Sequence, residues 1–187
     1  MSADAPTAAV SASPTAAADA AFMARALQLA RRGLYTTDPN PRVGCVIVRD
    51  GRIIGEGWHE RAGGAHAEIH ALQAAGEKAG GATAYVTLEP CCHHGRTPPC
   101  TDALIRAGIA RVVSAMSDPN PRVAGQGVAA LTAAGLRVEG GLMQAQAEAL
   151  NPAFISRLQR ALPYVRAKLA ASLDGRTALA NGASQWI

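Results

Sequence analysis

"ATAYVTLEPCCHHGRTPPCTDALIRAGIARVVSAMSD", residues 82–118, divides into a strand, a ligand-rich loop, a short helix and a second strand. β-Branched and apolar residues dominate 82–90, and Pro90 ends the run. Residues 101–109 carry a helical pattern with Thr101 as its cap, and 111–118 return to strand-like composition. Between them, Glu89–Cys100 holds three of the four cysteines, two adjacent histidines, one arginine and three prolines.

The flanking segments continue the alternation. Upstream, "VGCVIVRDGRIIGEG" (43–57) is two short apolar runs around Asp50-Gly51, a hairpin signal. Asp19 can cap a helix through about Arg32, with Phe22, Met23, Ala26, Leu27, Leu29 and Ala30 on its apolar face. "HAEIHALQAAGEKAG" (66–80) is rich in good helix formers and ends at glycine. Downstream come a helix over 125–134, a short strand at 136–139, and two helical stretches between Met143 and Arg160. Strands alternating with helices after an opening hairpin argue for a three-layer α/β domain, one sheet between helices. Ligands in such sheets sit outside the strand carboxyl ends, where "EPCCHHG" falls and where "SDPNP" (117–121) follows the next strand.

The 187 residues suffice for one well-packed domain with ends. Hydrophobic residues make up 49% but aromatics only 4%, so small aliphatic side chains must fill the core. The net charge is +4, and Arg31-Arg32 is the only adjacent basic pair, so charge alone does not imply nucleic acid. Clustered cysteines beside histidines argue for a metal site in a reducing compartment rather than a disulfide framework. Residues 1–18 lack the basic start and apolar stretch of a secretory signal and are expected to be a disordered tail. No apolar run approaches the roughly 20 residues of a membrane helix, so a cytoplasmic protein is expected.

Candidate ligands in the loop are Cys91, Cys92, His93, His94 and Cys100. "HAE" adds His66 and Glu68 at a helix start. A histidine, two cysteines and a nearby glutamate match the zinc deaminases, whose signature is H-x-E followed by P-C-x-x-C. His66-Ala67-Glu68 fits the first half and Pro90-Cys91 begins the second, but the next cysteine is displaced to position 100. The alternative is a non-catalytic zinc knuckle, which wants four closed ligands and has no use for Glu68. Cys45, inside an apolar run, is expected to be a core thiol, and Arg42 and Arg122 to be solvated charges. "DPNPRV" occurs at 38–43 and 118–123; each copy puts an asparagine in a proline-stiffened turn.

"HAEIHAL", "YVTLEPCCHHGRTPPCTDALIRAGIARVV" and "SDPNPRVAGQG" closely resemble the deaminase domain of bacterial riboflavin-biosynthesis proteins of the bifunctional deaminase–reductase type, over roughly residues 20–160. The long "HHGRTPPC" loop is unlike that of cytidine or tRNA-adenosine deaminases. The resemblance implies a cytidine deaminase-like α/β/α fold with one central mixed sheet, and a deaminase domain over 19–160. It implies zinc held by His66, Cys91 and Cys100, with Glu68 as proton shuttle. Cys92 stands where the family usually has serine. The implied substrate is a diaminopyrimidinone bearing a ribosylamino 5′-phosphate. Asn40, His59, His93, Arg96, Asp118 and Asn120 match binding positions. A homo-oligomer is expected, with neither nucleic acid nor membrane as partner. Residues 161–187 resemble the truncated start of a reductase domain, so NADPH is expected only with a complete reductase.

Overall fold

In the computed structural model, which describes residues 16–95, 97–121 and 123–184, Asp50 and Gly51 both have positive φ, 52° and 72°. That pair of conformations matches the right-handed twist of the flanking strands. They join β1 (Gly44–Arg49) to β2 (Arg52–Trp58) as the expected antiparallel hairpin. β1 also pairs antiparallel with β3 (Thr83–Val86); β4 (Arg111–Ser114) and β5 (Arg137–Gly140) then add in parallel. The result is one mixed five-stranded sheet in the order β2-β1-β3-β4-β5.

Helices cover both faces. α1 (Ala16–Ala30) packs on β1, and α2 (Ala67–Ala75) packs on β2 and β1. Glycines on the sheet permit the close approach. A Cβ at Gly44 would lie 2.0 Å from the Ala26 carbonyl oxygen of α1, and one at Gly57 would lie 2.4 Å from that of Ala67 in α2. Gly44 pairs with Trp58, the neighbour of Gly57, so the two glycines point to opposite faces and the helices lie on opposite sides. α3 (Cys100–Arg106) and α4 (Gln126–Ala133) continue the α2 layer; α5 (Gln144–Leu150) contacts α1, and α6 (Pro152–Arg160) follows it. The core is small and aliphatic, with Tyr85 its largest fully buried side chain.

Several boundaries differ from expectation. α1 already includes Ala16–Ala18, and residues 1–15 of the expected tail lie outside the described residues. Asp19 is therefore in the first turn, not at the cap, and its buried carboxylate pairs with Arg111. α3 begins at Cys100 with Pro99 at the N-cap, so Thr101 is a buried helical residue rather than the cap. β3 and β4 stop at Val86 and Ser114, leaving 87–90 and 115–118 to the loops. Arg42 is no solvated charge: its guanidinium reaches the carbonyls of Leu150 and Leu34. Arg122 lies outside the described residues. Residues 161–184 hold no helix or strand and are exposed, Leu173 fully so. No helix among the described residues is long and apolar enough to cross a membrane.

Candidate active site

β3 and β4 run parallel, and β1 runs against them, so the loops after β2, β3 and β4 and the loop before β1 meet at one edge of the sheet. α2 starts there. His66 occupies its N-cap position and Glu68 its first turn. The long loop after β3 folds back on itself: Cys91 O accepts from Thr101 N at 3.1 Å, and Cys91 Sγ accepts from Cys100 N at 3.4 Å. Residues far apart in the chain are thus adjacent. His66 Nδ1 lies 3.2 Å from Cys100 Sγ and 3.5 Å from Cys91 Sγ, and the three donor atoms all fall within 4.8 Å of one another.

These residues fit a zinc ion. With usual Zn–N and Zn–S bond lengths, a tetrahedral N–Zn–S pair separates its donors by about 3.6 Å, close to the spacings of His66 from the two sulfurs. One imidazole and two thiols are also the donor chemistry zinc prefers. As a set of side chains the group shares its protons unevenly. The Cys91 thiol is lowered, first because Cys100 hydrogen-bonds to it and then because His66 does, against its burial. Cys100 is raised by that same hydrogen bond and by burial. His66 is raised, chiefly by its hydrogen bond to Cys91. Cys92 is outside the group; its Sγ faces Gln126 Oε1 at 4.0 Å.

Glu68 is 3% exposed, and its Oε2 has no hydrogen-bond partner among the described residues. Burial, followed by the nearby Cys91, raises its pKa. Perturbed carboxylates beside a metal-type donor set cluster at functional sites.

A cavity of about 340 Å³ opens on this edge, lined by His66, Glu68 and Cys91 together with Asn40, His59, His93, Asp118 and Asn120. An adjoining hollow shares Asn40, His66, Cys91 and His93. His59 is buried, and its pKa is lowered by that burial. Its Nδ1 bonds Ala65 O at 2.9 Å and its Nε2 meets Asn40 Nδ2 at 3.1 Å. The proton therefore sits on Nδ1, and Nε2 accepts from the Asn40 amide, which fixes that side chain. The His59 ring meets the His66 ring edge-on, centroids 5.5 Å apart. Asp118 is raised by burial and accepts from Asn120 N at 2.8 Å. His93 is exposed on the loop. Arg96 lies outside the described residues. Cys45 is fully buried in the core, its thiol raised by burial.

Two groups of residues had no sequence-level assignment. Phe154, Arg157 and Leu158 of α6 form part of the cavity wall. Glu89 is buried beside it and accepts four backbone N–H groups. The acid in "LEPC" was visible, but its burial was not; for α6, the sequence pointed only to a helical stretch before Arg160, without saying what it would face.

A three-layer sheet with this His–Cys–Cys group at the carboxyl edge defines a cytidine deaminase-like domain, and the family described as "Cytidine and deoxycytidylate deaminase zinc-binding region" matches residues 16–116. The riboflavin biosynthesis protein RibD of Escherichia coli is 66% identical over 90% of this chain and 46% of its own length. The diaminohydroxyphosphoribosylamino-pyrimidine deaminase of Buchnera aphidicola subsp. Schizaphis graminum is 52% identical over 78% of this chain and 99% of its own. Acinetobacter baumannii RibD superposes with a TM-score of 0.88 at 56% identity, covering 92% of this chain and 49% of that one. The chain belongs to the deaminase family of riboflavin biosynthesis, within the cytidine deaminase-like proteins. It spans about half the length of the RibD relatives it matches.

Proposed function

We propose that this chain is a zinc-dependent aminohydrolase that deaminates a diaminopyrimidinone carrying a ribosylamino 5′-phosphate, giving the corresponding aminouracil and ammonia. The observation that carries this reading is Glu68: a buried carboxylate whose Oε2 has no partner among the described residues, lining one cavity with His66 and Cys91. The names of the Buchnera relative and of a Thermotoga maritima relative 46% identical to this chain supply the substrate class.

His66 Nδ1, Cys91 Sγ and Cys100 Sγ would hold the ion. A zinc ion held there supplies Lewis acidity that makes water a competent nucleophile at neutral pH. The chain's own residues do the rest. Water adds through its oxygen to the amino-bearing ring carbon while Glu68 Oε2 removes one proton and places it on the adjacent ring nitrogen. Glu68 then carries the remaining hydroxyl proton to the amino group, the C–N bond breaks, and ammonia leaves with a carbonyl formed in its place. One carboxyl group acts as base and then as acid because burial raises its pKa toward the working range. Asn40, held by His59, and Asp118 and Asn120, held in one turn, face the ring and ribose; His93 extends from the loop toward the cavity mouth. The proposal covers deamination alone.

The test is Glu68→Gln. It keeps the size of the side chain and removes its proton chemistry. Zinc content should stay at that of the unsubstituted protein while ammonia release from the phosphorylated diaminopyrimidine falls at least about 100-fold. Full activity in that variant would overturn the mechanism. Turnover of cytidine or tRNA with the phosphorylated pyrimidine ignored would overturn the substrate.

A further inference from the structure

Glu89 stands two residues before Cys91 and is 3% exposed, yet it is not a donor of the His66–Cys91–Cys100 group. Its Oε2 accepts from Asp118 N at 3.2 Å and Gly125 N at 3.0 Å. Its Oε1 accepts from Gly127 N at 2.9 Å and Val128 N at 3.3 Å. An ionised carboxylate offers about four lone-pair positions, so backbone groups occupy the whole acceptor capacity of Glu89. It is spoken for as a substrate ligand and as a proton carrier.

The four donors belong to two pieces of chain. One is the turn that carries Asp118 and Asn120. The other is the start of α4, whose N-cap, Gly125, has no side-chain cap of its own. Helix N-termini leave unsatisfied N–H groups that need a partner; here the partner comes from a different element. The glycine at 127 makes the contact possible. A Cβ there would lie 2.1 Å from Pro90 O and 3.1 Å from Glu89 Oε1, so α4 rests directly on the Glu89-Pro90 backbone. Asp118, fixed through its N–H, in turn accepts from Asn120 N at 2.8 Å. An unbroken set of hydrogen bonds therefore runs from the chain just before Cys91 to the turn across the cavity.

We propose that Glu89 is the positioning residue of the substrate-recognition turn, holding Asp118 and Asn120 in register with the donor group two residues further along the chain. The inference rests on the reading that Asp118 and Asn120 contact the pyrimidine substrate. It distinguishes Glu89 from Glu68: the former engages four backbone amides, the latter keeps an oxygen without a partner among the described residues.

Glu89→Gln tests it, because a glutamine presents one oxygen and one NH2. Whichever way the amide turns, its NH2 confronts one of the two N–H pairs. The KM for the phosphorylated diaminopyrimidine should rise about tenfold, as loss of charge-assisted hydrogen bonds predicts, with kcat changed much less and zinc content intact. Glu89→Asp, which keeps the charge but not the reach, should fall between. Gly127→Ala approaches the same contact from the α4 side and should also raise KM; it decides the matter where Glu89→Gln fails to fold. A purely structural residue would lower the active fraction and the melting temperature while leaving KM unchanged, and that outcome in both variants overturns the proposal. Asp118→Asn and Asn120→Ala separate the two readings. Their failure to raise KM sinks the recognition reading and this inference with it; a raised KM there with none in Glu89→Gln or Gly127→Ala sinks the inference alone.

Discussion

At the residue scale, the loop between β3 and α3 offers more soft donors than a metal site can use, and geometry selects among them. Cys91 and Cys100 meet at His66, whereas Cys92 points to Gln126 on α4. Adjacent in sequence, the two thiols face different partners, Cys91 towards His66 and Cys92 towards Gln126. The family resemblance already implied His66, Cys91 and Cys100 as one ligand set, and these three do converge; spacing alone left the choice open, since nothing in residues 91–100 announces that the chain folds back to hydrogen-bond Cys91 from Cys100 and Thr101. Cys92→Ser should retain zinc and ammonia release within about twofold, because Cys92 is outside the donor group and serine keeps nearly its size. Cys91→Ser and Cys100→Ser should each lose most bound zinc, measured by metal analysis of the purified proteins. Loss of zinc from Cys92→Ser alone would place the ligand one residue away from Cys91.

At the scale of elements, the hairpin and the alternation of helices and strands were legible because each follows from short-range chemistry: Asp50-Gly51 at the turn, short apolar and β-branched runs, helix formers ending at glycine. What was not legible was how closely the layers approach. Gly57 read as an ordinary hairpin residue, yet it is where α2 touches the sheet. Gly57→Ala would place a methyl 2.4 Å from Ala67 O and 2.6 Å from Ala71 N, both backbone atoms that cannot swing aside. α2 would have to lift, and His66 and Glu68 ride on its first turn. Overpacking of this kind costs about 1–3 kcal/mol. The expected signature is a lowered melting temperature together with weakened zinc retention, followed by thermal denaturation and metal titration. Gly51→Ala is the control, since nothing lies within 4 Å of its added Cβ; its positive φ would cost stability without affecting zinc.

At the scale of the whole molecule, one charged cluster joins the helical layer to the far half of the sheet. Arg111 of β4 makes a two-point contact with Asp19 of α1, at 2.9 and 2.8 Å, and another with Glu139 of β5, at 3.0 and 2.8 Å. Tyr85 of β3 donates its hydroxyl to Asp19. The sequence showed Asp19 only as a cap candidate, because a pair 92 residues apart leaves no local pattern. Arg111 lowers the pKa of Asp19 and of Glu139, in both cases chiefly through its hydrogen bonds. Each carboxylate therefore contributes stability that is fully present above its unfolded pKa of about 4 and is lost as pH falls through the lower folded value. Asp19→Asn keeps the shape and removes the charge. At neutral pH it should cost about 2 kcal/mol, the range for leaving a buried charged donor short of its partner, with Glu139 retaining part of the Arg111 contact. For a chain of this size that is a drop of about 6 °C in Tm. As the pH falls from the unfolded pKa through the lower folded value, the unsubstituted protein protonates Asp19 as well, so the two Tm curves should converge. A gap that stays constant from neutral to acidic pH would mean that Asp19 acts through packing and not through its charge.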